Sequence, residues 1–379
     1  MRRSTDRILT THAGALPRRP QLREMLIAKD DGKPVDEAAL ESGIQAAVDD
    51  VVQKQLDCGL DVITDGEESK RSFHIYMRPR LSGLADRVYK PGEHSTMTYG
   101  ADYAAFPEYF KSRGNRAGDA VCVGPLAYTG QAEVQADIRR FKSALDGKSP
   151  LESYLPSIAP GTIEHWLKNE YYPSDEAFLT AIADAMHEEY KAITDAGFIV
   201  QVDDPDLADA PQIHTDMSVP EYRRFAALRV EALNHALRGI PPERVRFHVC
   251  WGSYHGPHLF DIPLRDILDL ILAVNAEAYS IEASNPRHEH EWEVFEDIKL
   301  PAGKILIPGV VGHATDFIEH PELIAQRLIR YAGAVGRENV IAGTDCGLGP
   351  RVGHPKIAWA KFEAMTEGAK LATKQLWGR

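Results

Sequence analysis

His248 and Cys250 stand two residues apart in "RVRFHVCWGSYHGPH", at the end of an apolar run. In an extended strand, residues i and i+2 project from one face. The imidazole and the thiol therefore point together, just before the turn residues Gly252, Gly256 and Pro257. Two ligands do not make a metal site. Glu282 in "SIEAS" and Cys346 in "GTDCGLG" also close apolar runs. One nitrogen, two sulfurs and a carboxylate oxygen form a tetrahedral set suited to zinc. With two thiolates, one carboxylate and a neutral imidazole, a Zn²⁺ centre carries a net charge of about −1. Such a centre polarises a carbonyl poorly but suits an incoming thiol held as thiolate. The expected chemistry is alkyl transfer to sulfur. A local set of His248, Cys250, His255 and His258 is the rival, a structural site needing neither Glu282 nor Cys346.

The elements that must position these residues recur along the chain. Apolar, often β-branched runs begin at Ile8 ("ILTTHAG"), Asp61 ("DVITDGE"), Ala120 ("AVCVGPLAY") and Phe198 ("FIVQVDDP"). Four more begin at Arg244 ("RVRFHVC"), Ala278 ("AYSIEAS"), Lys304 ("KILIPGVV") and Val340 ("VIAGTDCG"). Amphipathic helices lie between them. Leu40, Ile44, Val48 and Val51 follow Asp36 as N-cap; Ser174 caps a second helix; Ser218 and Glu221 form a capping box; Ile324, Leu328 and Tyr331 make a further stripe. Eight strand–helix alternations predict one (β/α)8 TIM barrel over residues 1–379, with reactive side chains at the C-terminal rim. No GxGxxG follows the first strand, which argues against an open doubly wound sheet. Two long insertions at the rim are expected, at 84–119 and 129–173. They are rich in aromatics (Tyr89, Tyr99, Tyr103, Tyr109, Phe110, Trp166, Tyr171, Tyr172) and serve either as packing or as a pocket wall.

Composition narrows the partners. The chain has 379 residues, 44% of them hydrophobic, and a formal net charge of −13. That fraction supplies a sizeable core. The acidic balance disfavours nucleic acid and anionic membrane as partners. No run approaches the roughly 18 apolar residues of a membrane span, and "MRRSTDRILTTHAG" lacks the core of a signal peptide. Cys58, Cys122, Cys250 and Cys346 are too few and too scattered for a disulfide framework, so a reduced, cytoplasmic protein is expected. Cys58 and Cys122 read as core residues.

"HVC", "IEAS" and "DCGLG" resemble, in order, the three zinc-ligand segments of the cobalamin-independent methionine synthase family. "TTHAGALPR", "DGEES" and "QVDDPDL" are similar to its first, second and fourth strand ends, so the likeness spans the chain. It is closest to the short, single-barrel members. The resemblance implies a zinc-dependent methyltransferase acting on homocysteine, with small-molecule thiol and alkyl donor as partners and His248, Cys250, Glu282 and Cys346 as ligands. Glu67 and Asp203 match the acids that hold the homocysteine ammonium. Ala15 occupies the position of a substrate-binding serine, and His313 lies near a histidine acting as general acid. The family's tryptophan-bearing segment for a folate donor does not follow "VGPLAY". A short relative, epoxyalkane:coenzyme M transferase, alkylates another thiol and is the alternative. A non-catalytic zinc barrel and a uroporphyrinogen-type decarboxylase are alternatives of other classes; the decarboxylase has no use for the His–Cys–Glu–Cys set. "NPRHEHE" after Glu282 reads either as a polar helix start facing solvent or as a substrate contact, and Arg71 or Arg78 as structural partners of Glu67 and Asp203.

Overall fold

The computed structural model describes residues 1–87, 100–111, 120–349 and 351–378. Eleven strands appear among them: β1 (Leu9–Thr10), β2 (Val62–Ile63), β3 (Leu84–Asp86), β4 (Ala120–Cys122), β5 (Glu152–Ile158), β6 (Leu167–Asn169), β7 (Ile199–Asp203), β8 (Val245–Val249), β9 (Ala278–Glu282), β10 (Ile305–Val311) and β11 (Ile341–Thr344). Eight of them form one parallel sheet in the order β1-β11-β10-β9-β8-β7-β5-β2. Its two ends meet: Asp61 N donates to Thr10 O at 3.1 Å and Thr11 Oγ1 to Val62 O at 3.0 Å. The predicted TIM barrel is the observed fold.

Helices cover the ring as their patterns require. Leu40, Ile44, Val48 and Val51 are all buried, and burial of each such side chain contributes about 1.5–3 kcal/mol. Asp36 accepts from Ala39 N, Ser174 accepts from Ala177 N, and the Ser218–Glu221 capping box is formed. Inside the ring the first residues of the strands pack together. Leu9, Ala278, Ile305, Ile307 and Ile341 form one apolar cluster, and Val62, Tyr154 and Ile199 another. One step further along, the interior turns polar, with Gln201 and Arg246 side by side on β7 and β8.

The third barrel strand is not the one the apolar pattern selects. Ala120–Cys122 belongs to a small side sheet, antiparallel to β3 and parallel to β6. The ring instead uses β5, inside the segment expected to be an insertion. Residues 129–173 therefore hold an ordinary βα unit: the helix Gln131–Ala144, then β5, then the helix Pro160–His165. "ESYLPSI" hides because it opens on polar residues and contains Pro156, which normally argues against an inner strand. Here β5 pairs with β2 only at Glu152 and Ser153, so the proline sits beyond that ladder. Its carbonyl accepts from buried Lys70 Nζ at 2.5 Å.

The excursion at 84–119 remains. Tyr89 and Tyr99 lie outside the described residues, but the helices Gly100–Ala105 and Pro107–Lys111 dock on the loop after Cys250. Buried Asp102 accepts from Tyr254 Oη at 2.6 Å and Leu259 N at 3.2 Å.

Candidate metal and thiol site

β8 and β11 lift their last side chains to one point at the C-terminal rim. The ligand atoms of His248, Cys250 and Cys346 all lie within 4.8 Å of one another. His248 Nδ1 meets Ser280 Oγ at 3.2 Å, while Nε2 is buried with no hydrogen-bond partner. An orphaned buried imidazole nitrogen beside two sulfurs fits the donor set of a metal, because such atoms otherwise find partners. The neighbouring Cys250, then His248 and His313, hold the Cys346 thiol well below its ordinary range against the effect of burial. Cys250 is driven the other way, first by Cys346 and then by burial.

Glu282 does not join this cluster. Its Oε1 accepts from Trp251 N at 3.0 Å and its Oε2 from Asn285 Nδ2 at 2.9 Å. The expected fourth ligand thus braces the loop that carries Cys250. The local rival is not assembled either. His258 is spent on Asp261 Oδ2 at 2.8 Å and Tyr254 O at 3.2 Å.

Two acids converge beside the sulfurs. Glu67 Oε1 lies 2.7 Å from where a Cβ on Gly14 would stand, and Gln201 Nε2 is 3.8 Å from the same point. Gln201 Nε2 in turn donates to Asp203 Oδ1 at 2.7 Å. Gly14 has φ +130°, so both conformation and space require glycine there. Burial pushes the Asp203 carboxyl up to about 8, and Glu67 adds to the shift against the pull of His248. Burial likewise raises Glu67, with Lys70 opposing. Neither acid is matched by Arg71 or Arg78, which pair with Asp30, Asp31 and Asp86. Glu67 also holds φ 58°, a left-handed backbone that costs a glutamate of order 1 kcal/mol.

Ala15 packs on the loop after Cys346: a Cβ on Gly347 would lie 2.9 Å from its own, and Gly349 N donates to Ala15 O at 2.9 Å. His313, after β10, is buried with neither ring nitrogen bonded. In "NPRHEHE", Pro286, Arg287 and His290 are exposed and a short 3-10 helix starts at Glu289, as the solvent-facing reading expects, but His288 turns inward. His288 is buried, bonds Glu291 Oε2 at 2.8 Å and Asp261 Oδ2 at 2.9 Å, and stacks on Trp251 at 3.9 Å. Its partners are internal. Cys58 and Cys122 are buried as expected.

Other contributors escaped the sequence reading. Gln201 and Ser280 each lie two residues before a singled-out acid, so the strand period alone points to them. Asp345, beside Cys346, accepts from Ala283 N and from Ser284 N and Oγ, tying the end of β11 to that of β9. Correcting the third strand also supplies a tryptophan. Trp166 follows the helix after β5 and stacks on His74 at 3.8 Å.

The chain is similar to known proteins in sequence and in fold. A family model described as the catalytic domain of cobalamin-independent synthase matches residues 156–371, more than half of the chain. A methionine synthase of Sulfurisphaera tokodaii is 28% identical over 374 residues, covering 97% of this chain and 93% of the relative. One from Saccharolobus solfataricus is 26% identical over 370 residues, covering 97% and 95%. The structure of a B12-independent methionine synthase from Shewanella sp. W3-18-1, in complex with selenomethionine, shares the fold. Its TM-score is 0.75 at 21% identity over 98% of this chain and 100% of that one. The chain belongs to the cobalamin-independent methionine synthase family.

Proposed function

We propose that residues 1–379 act as a single zinc-bearing barrel that transfers a methyl group to the sulfur of homocysteine. The observation that carries the reading is the convergence of His248, Cys250 and Cys346 within 4.8 Å, with the buried Nε2 of His248 unpartnered. Those three side chains would hold zinc, with Glu282 as the fourth ligand if its carboxylate turns from Asn285; zinc there would favour the thiolate form of an incoming thiol. Ser280 fixes the imidazole through Nδ1, leaving Nε2 for the metal.

The chain's own residues do the rest. Glu67 and Asp203 are buried acids that form no direct ion pair among the described residues, and an amino acid's ammonium supplies one. Gln201 keeps the Asp203 carboxylate turned toward Gly14 and Glu67. An acceptor pinned at its ammonium and at its sulfur presents one lone pair to the donor, and this alignment is the protein's contribution to rate. On this reading His313 gives a proton to the departing donor fragment. Its two unbonded ring nitrogens support that role. Trp166, which follows the helix after β5, is the tryptophan this reading offers to the donor. The names of the archaeal relatives point to the same overall reaction.

Zinc-loaded protein should release close to one proton per site when homocysteine binds at pH 7. Zinc-edge absorption should gain one sulfur neighbour. A zinc shell that stays unchanged under saturating homocysteine would remove the proposal.

A further inference from the structure

Arg18 lies beyond the residues that gather around the sulfurs, yet it grips one of the two acids by its backbone. Arg18 Nη2 donates to the Glu67 carbonyl at 2.6 Å. The same carbonyl accepts from Lys70 N at 3.0 Å, and Glu67 N donates to Asp65 Oδ1 at 3.0 Å. Three hydrogen bonds thus hold one glutamate at φ 58°, a conformation it would otherwise leave. That conformation aims the carboxylate over Gly14. Arg18 is itself confined: its Nε is buried without a hydrogen bond, 3.7 Å from Glu68 Oε2, and Glu68 is 1% exposed with neither oxygen bonded. A side chain placed at this cost of unsatisfied polar groups needs a compensating role. Ala15 adds to the demand, since no hydroxyl at that position helps to hold an amino acid.

We propose that Arg18 is a positioning residue for the acceptor's ammonium, locking the left-handed backbone of Glu67 so that its carboxylate meets the ammonium opposite Asp203. This rests on the homocysteine reading above. Arg18 touches neither sulfur nor substrate, so its removal changes selectivity rather than thiol capture. Zinc-loaded wild type and Arg18→Met, titrated calorimetrically with L-homocysteine and with 3-mercaptopropionate, read this directly. Arg18→Met should weaken homocysteine about tenfold and 3-mercaptopropionate by less than about twofold, with zinc content unchanged. Arg18→Lys, which keeps the cation and a donor, should recover part of the preference, and it carries the test if Arg18→Met is unstable. Equal weakening of both thiols, or a homocysteine preference that survives both variants, overturns the role of Arg18 alone. Wild-type protein that binds the two thiols equally overturns the ammonium reading itself, and the role of Arg18 with it.

Discussion

At the N-terminal end of the barrel interior, Leu9, Ala278, Ile305, Ile307 and Ile341 pack into one apolar cluster. At the C-terminal end, Glu67, Asp203, His248 and His313 are also buried and Cys346 partly so, yet His248 Nε2 and both His313 ring nitrogens lack hydrogen bonds. The two ends share β10 and β11, along which His313 stands six residues after Ile307 and Cys346 five after Ile341. The first end supplies cohesion. The second spends part of it on buried acids, an orphaned imidazole and a left-handed glutamate, the kind of local conflict that marks a functional site.

That contrast can be tested from both sides, and the largest effect belongs to the rim. Cys346→Ser should lose most of the bound zinc and at least about 100-fold in methyl transfer, because a strong tetrahedral ligand is gone. His258→Ala should keep its zinc, since both nitrogens of that ring are used elsewhere. Metal analysis of the two variants decides; full zinc in Cys346→Ser with loss in His258→Ala would reinstate the local site. Next in size is Ile305→Ala, fully buried at the floor of the ring. It should cost about 2–5 kcal/mol in urea unfolding while leaving thiol affinity per folded molecule unchanged. A change in thiol affinity would show that floor and rim are not separable.

The smallest expected effect is a gain. Burial raises the Asp206 carboxyl to about 7, and its Oδ2 has no hydrogen bond. An acid whose pKa rises on folding is harmless below its unfolded value near 4 and destabilises progressively as pH climbs toward 7. Asp206→Asn should therefore stabilise the protein by about 1–3 kcal/mol at pH 8.5 and by almost nothing at pH 4. Thermal unfolding at the two pH values measures it. An equal gain at both would point to packing rather than charge.

Most of this architecture is legible in the chain because a buried parallel strand writes itself as an apolar run. Seven barrel strands announce themselves that way; β5 does not, because Glu152, Ser153 and Pro156 break the run while lysine and ring geometry compensate. "AVC" is the mirror error, an apolar strand serving a side sheet. At the site, strand period shows which face His248, Cys250 and Asp203 share. It is silent on the donors that already hold both oxygens of Glu282, and on His288 turning inward to Asp261. Those outcomes depend on loops whose paths are set by tertiary contacts such as Asp102 with Tyr254.

The ring also has a mechanical side. β1 and β2 contribute two residues each, so the hoop is thinnest where its ends meet. Glu67 follows β2, Asp203 ends β7, His248 lies near the end of β8 with Cys250 just past it, and Cys346 follows β11. On the proposed reading, acceptor and metal together form a cross-brace over the mouth of the hoop, joining β2 to β11 across the thin joint at β1. Backbone bonds run only around the perimeter, whereas this brace runs across the diameter. The loaded barrel is thereby stiffer than the empty one, and substrate becomes for the duration of a turnover a structural member of the protein that transforms it.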